Sequence, residues 1–410
     1  MTMKTSKGFG LMLACTALTA PLFASPALAD FSDGVIRIGV MNDQSGPYAD
    51  NCGAGSVTMA RLAIEDNGGS INGTPIEIVV ADDQNQPDIG VATARRWVEE
   101  EGVDAIVGCS ASSIALAVQD VMRQNNRPYL VAGTATTETT NGQCSPMTTN
   151  WAYDTYTLAR GSVNAQLEQG NLRWYFITVD YTFGHAWQAD ATRFIEAAGG
   201  EVLGSTLHPL GATDFSSQLL QAQASGAQVI GIANAGADLA NVIKQAEEFG
   251  ITAAGQTIAP LGILTNNVHG IGLEATQGLV FSASAYWDYD DATRALTARY
   301  NEAYDGRYPN EAQLVTYSAV NHYLQALAAS GTDEGVAVMD SMRATPVNDA
   351  IMHDVSIRED GVVMHPMIMV RVKSPEESTG PWDYYEVLGL IPAEQSWRSR
   401  EESTCPLFNN

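Results

Sequence analysis

The sequence predicts an α/β protein of two doubly wound, parallel-sheet lobes joined by a hinge that the chain crosses three times. Three observations carry this expectation. Apolar runs of strand length alternate with stretches of helical period up to about residue 150, and the same alternation restarts near Asn150. A chain of 410 residues is also too long for one ordinary core.

The first segment stands apart from the fold. Lys4 and Lys7 precede an apolar run over 9–23, and Ala27-Leu28-Ala29 before Asp30 has the A-x-A form of a secretory cleavage site. Residues 1–29 are therefore expected to act as a signal peptide, which places the mature protein outside the cytosol. Cys15 opens a lipoprotein alternative, which Met12 fits poorly.

The first lobe begins with the strand VIRIGVMN at 35–42, the loop DQSGPYADNCGAGS and a helix over 57–67. The strand PIEIVVAD follows, ending at Asp82-Asp83, and Pro87 opens an amphipathic helix in PDIGVATARRWVEEEG. Residues 103–140 then read as strand 104–107, small-residue turn 108–113, helix 114–125, strand 129–132 and a hydroxyl-rich turn. Two successive strands thus end in loops of Ser, Thr, Ala and Gly. Ligands of open α/β sheets bind outside the carboxyl ends of strands, and small residues let backbone N–H groups and hydroxyls come close. The competing role for Ser112 and Thr136 is to cap helices.

The second lobe repeats the construction with strands RWYFITVD, EVLGSTLHPL, VIGIAN and TIAP, separated by helices over 185–198, 215–224 and 239–249. A strand in GLVFSASAYWDYD precedes a helical region over 291–329 with a break at 306–310, a helix over 335–343 and two late strands, HPMIMVRVK and PWDYYEVLGLI. Crossings near 150–154, 283–287 and 365–370 divide the chain. Lobe 1 is expected at 30–152 plus 287–365, lobe 2 at 153–286 plus 366–390, and a C-terminal tail at 391–410.

Besides Cys15 there are four cysteines, Cys52, Cys109, Cys144 and Cys405, an even count that argues for two disulfides in an oxidising compartment. Three pairings are open on the sequence. In the common strand order 2-1-3-4-5, Cys52 and Cys109 follow neighbouring strands at one sheet edge, which favours Cys52 with Cys109 and leaves Cys144 with Cys405.

The formal charge is −26, or −28 once the two leader lysines are gone (19 basic less 47 acidic residues). Such a surface repels phosphate backbones and anionic lipid, so neither nucleic acid nor a membrane surface is an expected partner. No G-x-G-x-x-G follows the first strand, and there is neither a G-x-x-x-x-G-K-[ST] loop nor H-E-x-x-H. GCSAS at Gly108 lacks the final glycine of a nucleophile elbow, and the histidines show no metal spacing. No catalytic residue, cofactor or metal site is expected.

Together the stretches IRIGVMNDQSGPYAD, IEIVVADDQNQPDIGVATARRWVEEEGVDAIVGCSAS, VAGTATTETT, VDYTFGHAW and DFSSQLLQAQASGAQVIGIAN resemble the solute-binding proteins of ABC importers for branched-chain amino acids, of type I periplasmic binding fold. The resemblance implies a monomeric periplasmic protein that closes around a small-molecule carboxylate by hinge bending and docks on permease subunits in the inner membrane. It places the carboxylate clamp on Ser112, Thr134, Ala135 and Thr136, and a second-lobe aromatic on Phe183, with Asn234 completing the box. Two departures stand out. Leu261 occupies the position after TIAP where the family's acid pairs with an α-ammonium, and Ala235 replaces an expected tyrosine. A buried ammonium without a carboxylate is costly, so the expected ligand is an aromatic or other non-amino carboxylate. Tyr48, Tyr153, Tyr286 and Trp287 are candidate aromatic walls.

Overall fold

The computed structural model describes residues 1–5, 8 and 31–409. The apolar run of the expected signal peptide, Cys15 and the expected first mature residue Asp30 lie outside them.

In the first lobe the elements run β1 (Ile36–Asn42), α1 (Gly53–Asp66), β2 (Ser70–Ile71), β3 (Thr74–Asp82), α2 (Pro87–Glu99), β4 (Ala105–Cys109), α3 (Ser112–Gln124), β5 (Tyr129–Val131) and β6 (Thr148–Asn150). They form one sheet of order β2-β3-β1-β4-β5-β6, parallel throughout except for the short edge strand β2. Leaving β2 aside, this is the 2-1-3-4-5 winding expected from the sequence. β1 and β4 are in register through Asn42 opposite Cys109, which brings the loops after both strands to one edge.

The second lobe holds α4 (Thr155–Leu167), β7 (Arg173–Val179), α5 (Thr182–Ala197), β8 (Glu201–His208), α6 (Ser216–Ala224), β9 (Val229–Ala233), α7 (Gly236–Glu248), β10 (Thr257–Pro260), α8 (Thr265–Ile271) and α9 (Leu273–Thr276). Its parallel sheet has the order β10-β9-β7-β8, the same winding again. β11 (Val280–Ala283) leads into α10 (Asp291–Ala303), α11 (Glu311–Ser330) and α12 (Gly335–Ala344). Of these, α10 and α11 pack on α1, and α12 packs on α11. The late strands β12 (Met367–Val372) and β13 (Tyr385–Ile391) join β11 in a small antiparallel sheet. The connection between β12 and β13 contains no helix, so the chain returns antiparallel instead of crossing over.

Four helices begin two or more residues ahead of the sequence estimate: α1 at Gly53, α3 at Ser112, α5 at Thr182 and α7 at Gly236. Small and polar first turns carry no apolar period to read. The tail is packed down: α13 (Ala393–Ser396) is followed by Trp397, whose indole N–H donates to the His365 carbonyl at 2.9 Å. Both expected disulfides are present, with Cα separations of 6.2 Å for Cys52–Cys109 and 5.6 Å for Cys144–Cys405, inside the usual range.

Candidate functional site

Loops at the carboxyl ends of both parallel sheets enclose a cavity of about 80 Å³. From the first lobe come Tyr48, the Cys52–Cys109 bridge, Ser110 to Ser112, Gly133, Ala135 and Glu311. The second contributes Tyr181, Phe183, Trp187, Ala235 and Gly262 to Leu264. The lobes touch around it: the Tyr48 and Tyr181 hydroxyls are 2.8 Å apart, and the Asn267 side-chain Nδ2 donates to the Asn51 side-chain Oδ1 at 3.3 Å.

Local chemistry explains how each loop is held. After β1, the buried Asp43 carboxylate accepts N–H bonds from Ser45, Gly46 and Tyr48, folding 43–48 into a turn that presents the Tyr48 ring. After β4, the Ser110 hydroxyl donates to Asp83 at 2.5 Å, while its carbonyl accepts from the Thr134 hydroxyl at 2.7 Å. The two small-residue loops are thus tied to each other. A Cβ on Gly133 would lie 2.3 Å from the Cys109 sulfur, so the second loop can approach the bridge only as glycine.

Helices α1, α3, α5 and α7 all start at this cavity, and none has a side-chain cap. Their free N–H groups and dipoles favour an anion there. At the start of α3 the Ser112 side chain is 2% exposed, and its hydroxyl has no hydrogen-bond partner in the protein. The Trp187 indole N–H and the Ser284 hydroxyl, both on the cavity wall, are likewise unpartnered.

Of the residues chosen from the sequence, Tyr48, Ser112, Ala135, Tyr153 and Phe183 line the cavity. The others sit behind it. Thr134 spends its hydroxyl on Ser110, and Thr136 caps the turn at 137–139 by accepting the Glu138 N–H. Asn234 is fully buried against His208, with 3.0 Å between Nδ2 and Nε2. Tyr286 packs on Trp287 and Tyr385 in the second-lobe core, and Trp287 donates its indole N–H to the Trp382 carbonyl.

Leu261 is fully buried and lies off the cavity lining, and an acid that sequence reasoning did not choose, Glu311, lines the cavity from the first lobe. Its carboxylate accepts the Thr265 N–H at 3.0 Å and the Thr265 hydroxyl at 2.9 Å. The only signal in the sequence was N-x-x-Q at Asn310 to Gln313, a capping pattern that makes Glu311 a first-turn acid, ordinarily a solvated one.

A family-wide sequence pattern described as periplasmic binding protein matches residues 35–380. The chain belongs to that family. A periplasmic binding protein from Burkholderia mallei is 42% identical, with a TM-score of 0.89 over 92% of this chain and 99% of that one. A branched-chain amino acid ABC transporter periplasmic ligand-binding protein from Burkholderia xenovorans LB400 is 34% identical, with a TM-score of 0.82 over 91% of this chain and 99% of that one. The Leu/Ile/Val-binding protein homolog 6 of Brucella melitensis is 29% identical over 62% of this chain and 64% of its own length. The match spans 54% of the counterpart in Brucella abortus.

In this periplasmic binding protein two buried carboxyls set a pH response. Burial pushes Glu311 up to about 7, against the bonds from its own backbone and Thr265. Burial likewise pushes Asp104 up to about 7, against the Arg37 N–H and the Arg127 guanidinium 3.0 Å away. Both bind protons in the folded state at pH values where the unfolded chain has released them, so stability falls as pH rises through about 7. His208, His269, His322 and His365 are held below the usual imidazole range by burial and act in the opposite sense, because unfolded imidazoles are already half protonated at about pH 6.5. The Glu311 share is therefore read as a difference: lowering the pH from about 8 to about 6.5 should stabilise wild type by about 0.8 kcal/mol more than Glu311→Gln, or roughly 1 °C in Tm. Thermal denaturation of both proteins across that range checks this, and parallel profiles would refute it.

Proposed function

We propose that this periplasmic binding protein captures a small carboxylate with an aromatic body and delivers it to the permease subunits of an ABC importer. The single observation that carries the reading is the unpartnered Ser112 hydroxyl at the uncapped start of α3, inside a cavity walled by Tyr48, Tyr153, Tyr181, Phe183 and Trp187. Hydroxyl and helix-terminus N–H groups hold an anion without a cation, and charge-assisted bonds of this kind contribute about 1.5 to 3 kcal/mol each. Flat aromatic rings bind an aromatic body through area burial and edge or offset stacking. The names of the relatives support membership of an import system.

Capture requires that the ligand favour the closed arrangement differentially, because contact with one lobe alone shifts nothing. Here the clamp lies on the first lobe and Phe183, Trp187 and Ala235 lie on the second, so a ligand touching both stabilises closure. A thermal-shift series on the oxidised protein tests the reading with benzoate, 3-phenylpropanoate, valine and benzamide. Benzoate and 3-phenylpropanoate should stabilise the protein by mass action, by about 2.7 kcal/mol at a hundredfold excess over Kd, and valine, without the aromatic body, should give less. Benzamide, of the same shape without the charge, should give little. Equal shifts with benzamide, or none with any acid, would refute the carboxylate clamp.

A further inference from the structure

After β11 the chain leaves the second lobe for the first: β11 ends at Ala283 beside α4, and α10 starts at Asp291 and packs on α1. It returns at 364–366, between Val363, whose N–H donates to the Asn150 carbonyl, and the start of β12 at Met367. His365 ties this return to the first crossing, its Nε2 lying 3.1 Å from the Ala152 carbonyl oxygen. The last two crossings bound a cavity of about 200 Å³, larger than the one in the cleft.

The walls determine what this cavity can hold. Buried Ala285, Tyr286, Met352 and Ile368 make the inside apolar, and among the described residues no Asp, Glu, Lys or Arg lines it. The ring nitrogens of His365 face the Pro366 and Ala152 carbonyls and are taken up there. Among the described residues, the one buried lining hydroxyl without a protein partner is that of Ser284, which stands in the wall shared with the cleft. An apolar cavity of about 150 Å³ accepts a benzene-sized molecule, whereas an ordered water needs roughly two to four polar partners. Tyr289, His353 and Leu390 form an exposed rim through which a guest can enter.

The cavity also spans the hinge. Met352 is held to the first lobe through Asp349, which accepts the Met352 N–H and the Ser318 hydroxyl of α11. Ile368 lies on β12, which pairs with β11 on the second lobe. We propose that this cavity is a second ligand site, for a small uncharged molecule with an apolar ring and one hydroxyl, and that its occupancy favours the closed arrangement. The lobes touch across the cleft in this structure, so a guest that contacts both sides of the hinge stabilises their present arrangement over one in which those sides move apart. By linkage, a ligand in the cleft and a guest at the hinge then strengthen each other's binding.

The test uses the oxidised full chain, with cyclohexanol as the hinge probe and benzoate as the cleft ligand. Cyclohexanol at about 50 mM should raise Tm by about 1 °C. Ala285→Leu fills the cavity from inside and Leu390→Trp fills it at the rim, both off the cleft lining, and each should abolish that rise while leaving the benzoate shift in place. Leu390 is exposed, so its variant serves if the buried substitution does not fold. Benzoate should bind about fivefold tighter to wild type saturated with cyclohexanol. No rise in wild type, or a rise that survives in either folded variant, would overturn the site. Benzoate binding weakened by cyclohexanol would place the alcohol in the cleft, and unchanged binding would overturn the coupling to closure. If benzoate gives no shift, the carboxylate reading falls alone, and the cyclohexanol rise and its loss in the variants still decide the hinge site.

Discussion

Replacing Cys52 and Cys109 together by serine is expected to destabilise the oxidised protein by about 4 kcal/mol, the chain-entropy value for a loop of this size. The bridge joins residues 57 apart in sequence and ties the start of α1 to the end of β4. The corresponding fall in Tm is roughly 5 °C. Ligand affinity should fall with it, since both cysteines line the cavity and fix Tyr48 and Ser112 relative to each other. Serine pairs at Cys144 and Cys405 provide the comparison: that bridge anchors the tail away from the cavity and should cost stability while sparing affinity. Thermal denaturation and titration of the two double variants check this, and equal affinity losses would show that the first bridge has no special place in the site.

Ser112→Ala should separate binding from folding. Its hydroxyl is buried without a protein partner, so removing it relieves an unsatisfied polar group, and the ligand-free Tm should stay level or rise. The bound carboxylate loses one charge-assisted bond, which weakens affinity by about tenfold to a hundredfold. This opposition of signs is the informative part. A residue that merely caps α3 would lose stability on the same substitution and leave affinity alone. Unchanged affinity for every acid that shifts the wild-type Tm would place the clamp elsewhere.

Much of the architecture could be read along the chain because it depends on local periodicity. Strand-length apolar runs, helix-period stretches and small-residue turns gave the βα repeats and their winding, and the winding in turn placed Cys52 beside Cys109. Ser112, Ala135 and Phe183 could be chosen because they sit where strands end or helices begin, and sheet topology alone sends those ends to a cleft. Thr134, Thr136 and Asn234 show the limit of that logic. They occupy the same kind of loop, but alternate side chains of a turn point in different directions, and theirs are taken by Ser110, Glu138 and His208.

What the sequence determined by itself was the order of the elements, the two lobes and the loops that form the cavity, since each follows from interactions over a few residues. Only the tertiary structure decided which side chains line the cavity, Glu311 among them. Glu311 is separated by 199 residues from Ser112 and by 46 from Thr265, and no local pattern couples such positions. Packing of α11 on α1 and contact with Thr265 of the second lobe turn a first-turn helix acid, ordinarily solvated, into a buried carboxylate on the cavity wall.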